Sequence, residues 1–143
     1  MNLAQIWRYP IKSHGSEHLD AIDICSGKTL PLDRTWAVVH DQSDADGSTW
    51  VPCRNFSRVA KAPQLAAIST SWTSDEKLEL SHPSIGKICI NPDFDSAEFI
   101  NWVSPLMPKN RSSSIKLVRS IQTGMTDTDF PSISIGNLSS HQE

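Results

Sequence analysis

The 143-residue chain has little of what staples small domains or anchors proteins in membranes. Its three cysteines, Cys25, Cys53 and Cys89, are far apart, form no C-x-x-C and leave one thiol over in any pairing, which excludes a disulfide framework. No apolar run approaches the roughly 18 residues needed to cross a bilayer. The opening Met1-Asn2-Leu3-Ala4-Gln5 lacks the charged segment and apolar stretch of a signal peptide, so the expectation is a cytoplasmic location, reduced thiols and no membrane partner. Positive charge is not in surplus. Thirteen Lys and Arg stand against 16 Asp and Glu, a net charge of -3, which removes any general pull toward nucleic acid. There is no G-x-S-x-G, G-x-G-x-x-G or P-loop string either, so neither a nucleophile elbow nor a nucleotide-phosphate loop is on offer.

What is present fits one β-rich domain. Hydrophobic residues make up 38% of the chain and the mean hydropathy is -0.33. A domain near this size buries roughly 70% of its unfolded surface, enough for a real core. Short apolar or alternating runs predict strands at Leu3 to Trp7, Ala21 to Cys25, Trp36 to His40, Thr49 to Val51, Leu65 to Thr70, Lys77 to Leu80 and Lys87 to Ile90, with a further alternation at Ile115, Leu117 and Arg119. Turn signals at His82-Pro83, Gly86 and Asn91-Pro92 punctuate them, a spacing that suggests a barrel or sandwich. One segment has a different period. Phe99, Trp102, Val103 and Leu106 fall at i, i+3, i+4 and i+7, and Asp95 followed by Glu98 reads as a capping box, which predicts an amphipathic helix from Ser96 to Ser104 ended by Pro105 and Pro108. The polar stretch from Thr123 to Asp129 reads as a connector, dividing a β-barrel domain at 1–122 from a short piece at 123–143. Asn137-Leu138-Ser139-Ser140 looks like a helix start without its helix, so the chain is read as the N-terminal part of something longer.

Three tempting motifs fail on their chemistry. His14-Gly15-Ser16-Glu17-His18 matches the H-x-x-E-H string of one zinc protease class, but that site needs both histidines on one helix face. Gly15 costs about 1 kcal/mol inside a helix, and the run follows Pro10, so both histidines are read as loop residues, with His14 near a rim. Asp41, Asp44 and Asp46 offer oxygen ligands, yet Gln42 and Cys53 occupy positions where a calcium loop needs acids, and a solvated hairpin tip is the better reading. No metal site is expected. Most of the five tryptophans are expected in packing positions, with Trp36 the one worth following.

Two runs carry more specific information: Tyr9-Pro10-Ile11-Lys12-Ser13, followed by Gly15, and Leu30-Pro31-Leu32-Asp33-Arg34-Thr35-Trp36. Each sets a cation where a strand meets a turn, because Pro10 and Pro31 disfavour helix and cannot donate to a ladder. Lys12, Ser13 and Arg34 are therefore candidates for one anion site at a rim. Arg54 is a possible third cation, weighed against a solvated surface arginine. For Lys12 and Arg34 the bland alternative is an ion pair, such as Arg34 with Asp33.

This pair of runs resembles the N-terminal β-barrel domain of MOSC proteins, the family named after the C-terminal part of molybdenum cofactor sulfurase. The family pattern is Tyr-Pro-[Val/Ile]-Lys-Ser, a Gly two residues on, then Leu-x-x-Asp-Arg-x-Trp before a strand. Looser likeness extends through Pro63 to Ile68, the helix around Trp102, and Phe130 to Ile135. The resemblance implies a mainly β fold, a small, partly open barrel with one helix near its C-terminal third. It also implies that Lys12, Ser13 and Arg34 bind the molybdenum cofactor (molybdopterin) at its phosphate. A guanidinium fork, an ammonium and a hydroxyl suit that group.

Two departures limit what carries over. Thr29 stands where relatives usually have Gly, and none of the three cysteines aligns with the molybdenum-ligating cysteine, which lies in the MOSC domain proper. The implied role is thus one half of a cofactor site, not catalytic alone, with a MOSC domain as partner in cis or in trans. Relatives are oxidoreductases or sulfur-transfer proteins. The alternative is a stand-alone small β-barrel that binds an anionic ligand or a partner protein with no redox role.

Overall fold

A computed structural model describes residues 3–121 and 125. Seven short strands and one α-helix lie among them: β1 Ile6–Arg8, β2 Glu17–Leu19, β3 Trp36–His40, β4 Ser69–Trp72, β5 Leu78–His82, β6 Gly86–Ile90, α1 Ser96–Val103 and β7 Ser114–Arg119. All strand pairs are antiparallel: β1 with β2, β3 with β7, and β4 with β5 with β6. Single parallel bridges join these sheets, Ile11 to Trp36 and Ser16 to Ser69. The resulting order is β6-β5-β4, then β2-β1, then β3-β7. Among the described residues the sheet does not close on itself. Helix α1 packs against both β6 and β7, the two ends of that order, and Ser96 Oγ accepts from the Leu117 amide at 2.8 Å. The helix thus covers edges that would otherwise be open to pairing with other chains. A mainly β, partly open fold results, as the resemblance implies.

The core follows the apolar runs. Trp36, Ala37, Val38 and Val39 are all buried, because β3 is covered on both faces. One face joins Ile11, Leu65, Leu78, Leu80, Ile90 and Phe99 in the larger cluster, and the other packs Ala37 and Val39 on Phe56 and Val118. The helix buries Phe99 and Val103 completely, and the 3-10 turn Ser104–Leu106 that follows it buries Leu106 nearly so. Each such side chain stabilises by roughly 1.5–3 kcal/mol relative to exposure.

Several local expectations are corrected. Ala21 to Cys25 is not a strand: its alternation finds no partner, and Ile24 stays 57% exposed. Leu3 to Trp7 shifts to Ile6–Arg8, and its partner is Glu17–Leu19, in the stretch read as loop. Thr49 to Val51 is irregular, with a 3-10 turn at Cys53–Asn55 after Pro52. Pro63 seeds a 3-10 helix over Pro63–Ala67, so β4 starts only at Ser69. The capping box does not form, because Asp95 Oδ2 accepts instead from the Asn91 amide at 2.7 Å and so stabilises the turn before α1. Past the barrel, the connector at Thr123 to Asp129, apart from Met125, and everything after it lie outside the described residues.

Candidate functional site

The backbone brings the two marked runs together. The Arg34 amide donates to the Tyr9 carbonyl at 2.6 Å, the Trp36 amide to the Pro10 carbonyl at 3.2 Å, and the Lys12 amide to the Trp36 carbonyl at 2.8 Å. Side chains add further ties: Arg8 Nη1 donates to the Pro31 carbonyl at 3.0 Å, and the Tyr9 amide to Asp33 Oδ1 at 2.9 Å. Segments more than twenty residues apart therefore run side by side and in parallel through the Ile11–Trp36 bridge. Two proposed ligands sit in strained backbone. Of the four non-glycine residues with positive φ among the described residues, Ser13 (63°) and Arg34 (47°) are two, and Leu32 (60°) is a third in the same runs. Left-handed backbone at non-glycine residues costs on the order of 1–3 kcal/mol each and tends to cluster where function requires it.

The head groups are not on an open rim, which corrects the expectation of exposed cations. Lys12 is fully buried and Arg34 is 9% exposed. Arg34 Nη1 donates to Asp33 Oδ2 at 2.8 Å, the ion pair weighed as its alternative, and its guanidinium lies 5.4 Å from the centre of the Tyr9 ring. Burial pushes the Asp33 carboxyl above its ordinary range, opposed by Arg34 and by the Tyr9 amide. Removing two charges from water costs about as much as a buried pair returns, so the pair positions more than it stabilises. Ser13 is half-buried and lines a cavity of about 230 Å³ with Cys53, Arg58, Val59 and Ala60.

His14 is also displaced from its expected place. It is fully buried, edge-on to Phe99 with ring centres 5.8 Å apart, and its Nδ1 lies 2.7 Å from the Lys12 carbonyl. Because a carbonyl only accepts, Nδ1 carries the proton, while Nε2 is buried with no hydrogen-bond partner among the described residues. Burial lowers the His14 pKa from 6.5 to about 4, against a smaller upward pull from the Lys12 carbonyl. The unfolded chain therefore binds more protons between these values, and the stability present above pH 6.5 is lost as pH falls toward 4. Urea midpoints between pH 7 and 4 are expected to reveal a His14 contribution of about 3 kcal/mol. His14→Gln should flatten that slope; a slope the substitution leaves unchanged would place the titration elsewhere.

A larger cavity of about 520 Å³ adjoins the second run, lined by Arg8, Leu32, Trp36, Trp72, Asp93 and Arg119 among others. Trp36 itself is a packing residue here, 3% exposed, tilted against Trp72, with its indole N–H donated to Asp93 Oδ1 at 2.8 Å. Arg119 stacks over it at 5.1 Å and pairs with Asp93 at 2.7 Å. These contacts between β3 and β7 join positions 83 residues apart in the paired register Trp36 to Arg119, so the sequence offered no signal for them. Arg54 is exposed and lines a separate basin near His40 with Arg58, Lys61 and Arg111. Among the described residues no group of three or more His, Cys, Asp or Glu could hold a metal, and no helix is long and apolar enough to cross a membrane.

Comparison with known families finds a match to the MOSC N-terminal beta barrel domain over residues 1–107, about three quarters of the chain. No curated protein matches the chain.

Proposed function

Because this chain belongs to the MOSC N-terminal β-barrel family, we propose that it helps hold the phosphate and pterin of the molybdenum cofactor for a MOSC domain supplied in cis or in trans. Lys12, Ser13 and Arg34 are the assigned contacts, and the chain is not catalytic alone. The observation that carries this reading is the parallel pairing of the two runs through Tyr9, Pro10 and Lys12 against Arg34 and Trp36. It sets the backbones of Lys12 and Arg34 in adjacent strand-like segments, and strain at Ser13 and Arg34 marks the same turns.

The donor set fits a phosphate rather than a metal. A guanidinium offers a planar fork of N–H donors that matches a phosphate, an ammonium adds a point charge, and a hydroxyl adds one donor. The cavity beside the second run, walled by Trp36 and Trp72, has the volume of a ligand site for a fused-ring head group, while Ser13 lines a separate cavity. Bound there, the cofactor would supply the redox or sulfur-transfer chemistry. A thiolate ligand to its metal is assigned to the MOSC domain, in keeping with the resemblance. The burial of Lys12 adds a condition: a phosphate reaches its ammonium only if the surroundings open, so the grip belongs to the assembled two-domain state.

The test is cofactor retention after gel filtration of the chain with a MOSC domain. Each charge-assisted bond is worth roughly 1.5–3 kcal/mol, about tenfold to a hundredfold or more in affinity. Arg34→Gln is expected to lower retained pterin by at least tenfold while a substitution at exposed Lys109 leaves it unchanged. Equal retention in both variants, with folding confirmed by circular dichroism, would remove Arg34 from the site.

A further inference from the structure

The basin near His40 shares only Arg58 with the Ser13 cavity and holds none of the assigned cofactor contacts, and its chemistry is unusual for a chain of net charge -3. It encloses about 180 Å³ and is lined by His40, Phe56, Ser57, Met107 and Ser112 together with four cationic residues, Arg54, Arg58, Lys61 and Arg111. Among the described residues no carboxylate lines it. None of the four cations forms an ion pair among the described residues; the side-chain hydrogen bond they make there is Arg58 Nη1 to Cys53 Sγ at 3.1 Å. Four like charges gathered round one concavity repel one another, and an anion in the middle relieves all of them at once.

The basin is also built rather than incidental. Its floor is the buried pair Phe56 and Ser57, where Ser57 Oγ lies 2.8 Å from Ser114 Oγ and the Ser57 amide is fixed on the Val38 carbonyl. The Gln42 amide donates to His40 Nδ1, so Nε2 carries the proton and donates to the Arg54 carbonyl at 2.7 Å. His40 is thereby a positioning residue for Arg54, not a ligand. Apolar walls from Phe56 and Met107 lower the local polarity and strengthen any charge pairing inside. About 13 Å of strand separate His40 from Trp36, so this concavity and the Arg34 turn lie at opposite ends of β3.

We propose that this basin is a second anion site, taking a phosphate-type oxoanion as inorganic phosphate or as a small phosphate monoester. At ~30 Å³ per water the space equals about six waters, enough for one tetrahedral group with some hydration but not for a nucleobase beside it. The organic part of an ester would lie outside the mouth.

The test is an amide-resolved NMR titration of the full chain with inorganic phosphate at ionic strength held constant by chloride, with glycerol 3-phosphate as a second arm. Saturable shifts at Ser57, Arg58 and Ser112 are expected. Arg58→Gln with Arg111→Gln should weaken binding at least tenfold, and Arg111→Gln alone, at an exposed position, about threefold. Arg34→Gln should leave these shifts intact, which separates failure here from failure of the cofactor reading. Tighter binding of the ester than of phosphate identifies the esterified source. Linear, chloride-like shifts would overturn the proposal, as would shifts confined to the Arg34 turn. Much tighter binding of a short oligonucleotide would overturn the commitment to a small ligand.

Discussion

Lys12→Ala is expected to lower the unfolding free energy by about 3 kcal/mol or more, the cost typical of removing one member of a buried charged arrangement. The sequence alone points to the opposite result, because a lysine following Tyr-Pro-Ile at a turn reads as a rim residue whose loss costs almost nothing. The fold reverses this. Lys12 is fully buried, its amide is bound to the Trp36 carbonyl, and its carbonyl receives His14 Nδ1. Truncation to alanine removes the packing of the buried aliphatic stem and deletes the charge at its end. Lys12→Met should recover much of the packing and lose the charge, separating the two causes. Urea denaturation of the three proteins measures this. An alanine variant within 0.5 kcal/mol of the parent would mean that the ammonium reaches solvent after all.

Gly15→Ala has the second large effect, with the same expected scale. Its φ is +105°, and an added Cβ would lie 2.6 Å from Thr70 Cγ2, 2.8 Å from Ile68 Cγ2 and 3.2 Å from the Ile68 carbonyl oxygen. Left-handed backbone costs an alanine roughly 1–2 kcal/mol and overpacking of a tight core about 1–3 kcal/mol more. The glycine is where the loop after Lys12 passes against β4 beside the Ser16–Ser69 bridge, so it joins the first motif to the β4-β5-β6 sheet. Gly27→Ala provides the contrast. Gly27 also has a positive φ, +73°, but nothing lies within 4 Å of its added Cβ, so only the backbone term of about 1 kcal/mol remains. Equal losses at the two positions would show that the contact with β4 is not made.

The sequence revealed those parts of the molecule that depend on local pattern. The helix was legible because Phe99, Val103 and Leu106 repeat at helical spacing, and β3 because four apolar residues stand together behind a turn. The Ala21 to Cys25 segment misled because alternation shows only that a strand would have two faces, not that a partner exists to pair with it. Asp95 and Glu98 matched a capping pattern, but Asp95 was claimed by the Asn91 amide, a competition no spacing rule records. At the candidate site the motif residues were found by resemblance, and their backbone proximity was confirmed by the bonds between Tyr9, Pro10, Lys12, Arg34 and Trp36. Their burial was illegible, since it depends on chain that packs over them from elsewhere. The His40 basin was nearly invisible for the same reason. Arg54, Arg58 and Lys61 are close in sequence, but Arg111 arrives from beyond the helix, and only the fold sets all four round one cavity.

In the proposed function, the paired turns of Lys12 and Arg34 hold a phosphate when a MOSC domain is present. The most direct measurement compares the affinity of the two-domain assembly for molybdopterin and for its dephosphorylated form, in the parent and in Arg34→Gln. The parent should prefer the phosphorylated form by tenfold or more, and Arg34→Gln should erase most of that preference while binding the dephosphorylated form as the parent does. A preference of the same size in both proteins would contradict the account, because the phosphate would then be held by other residues.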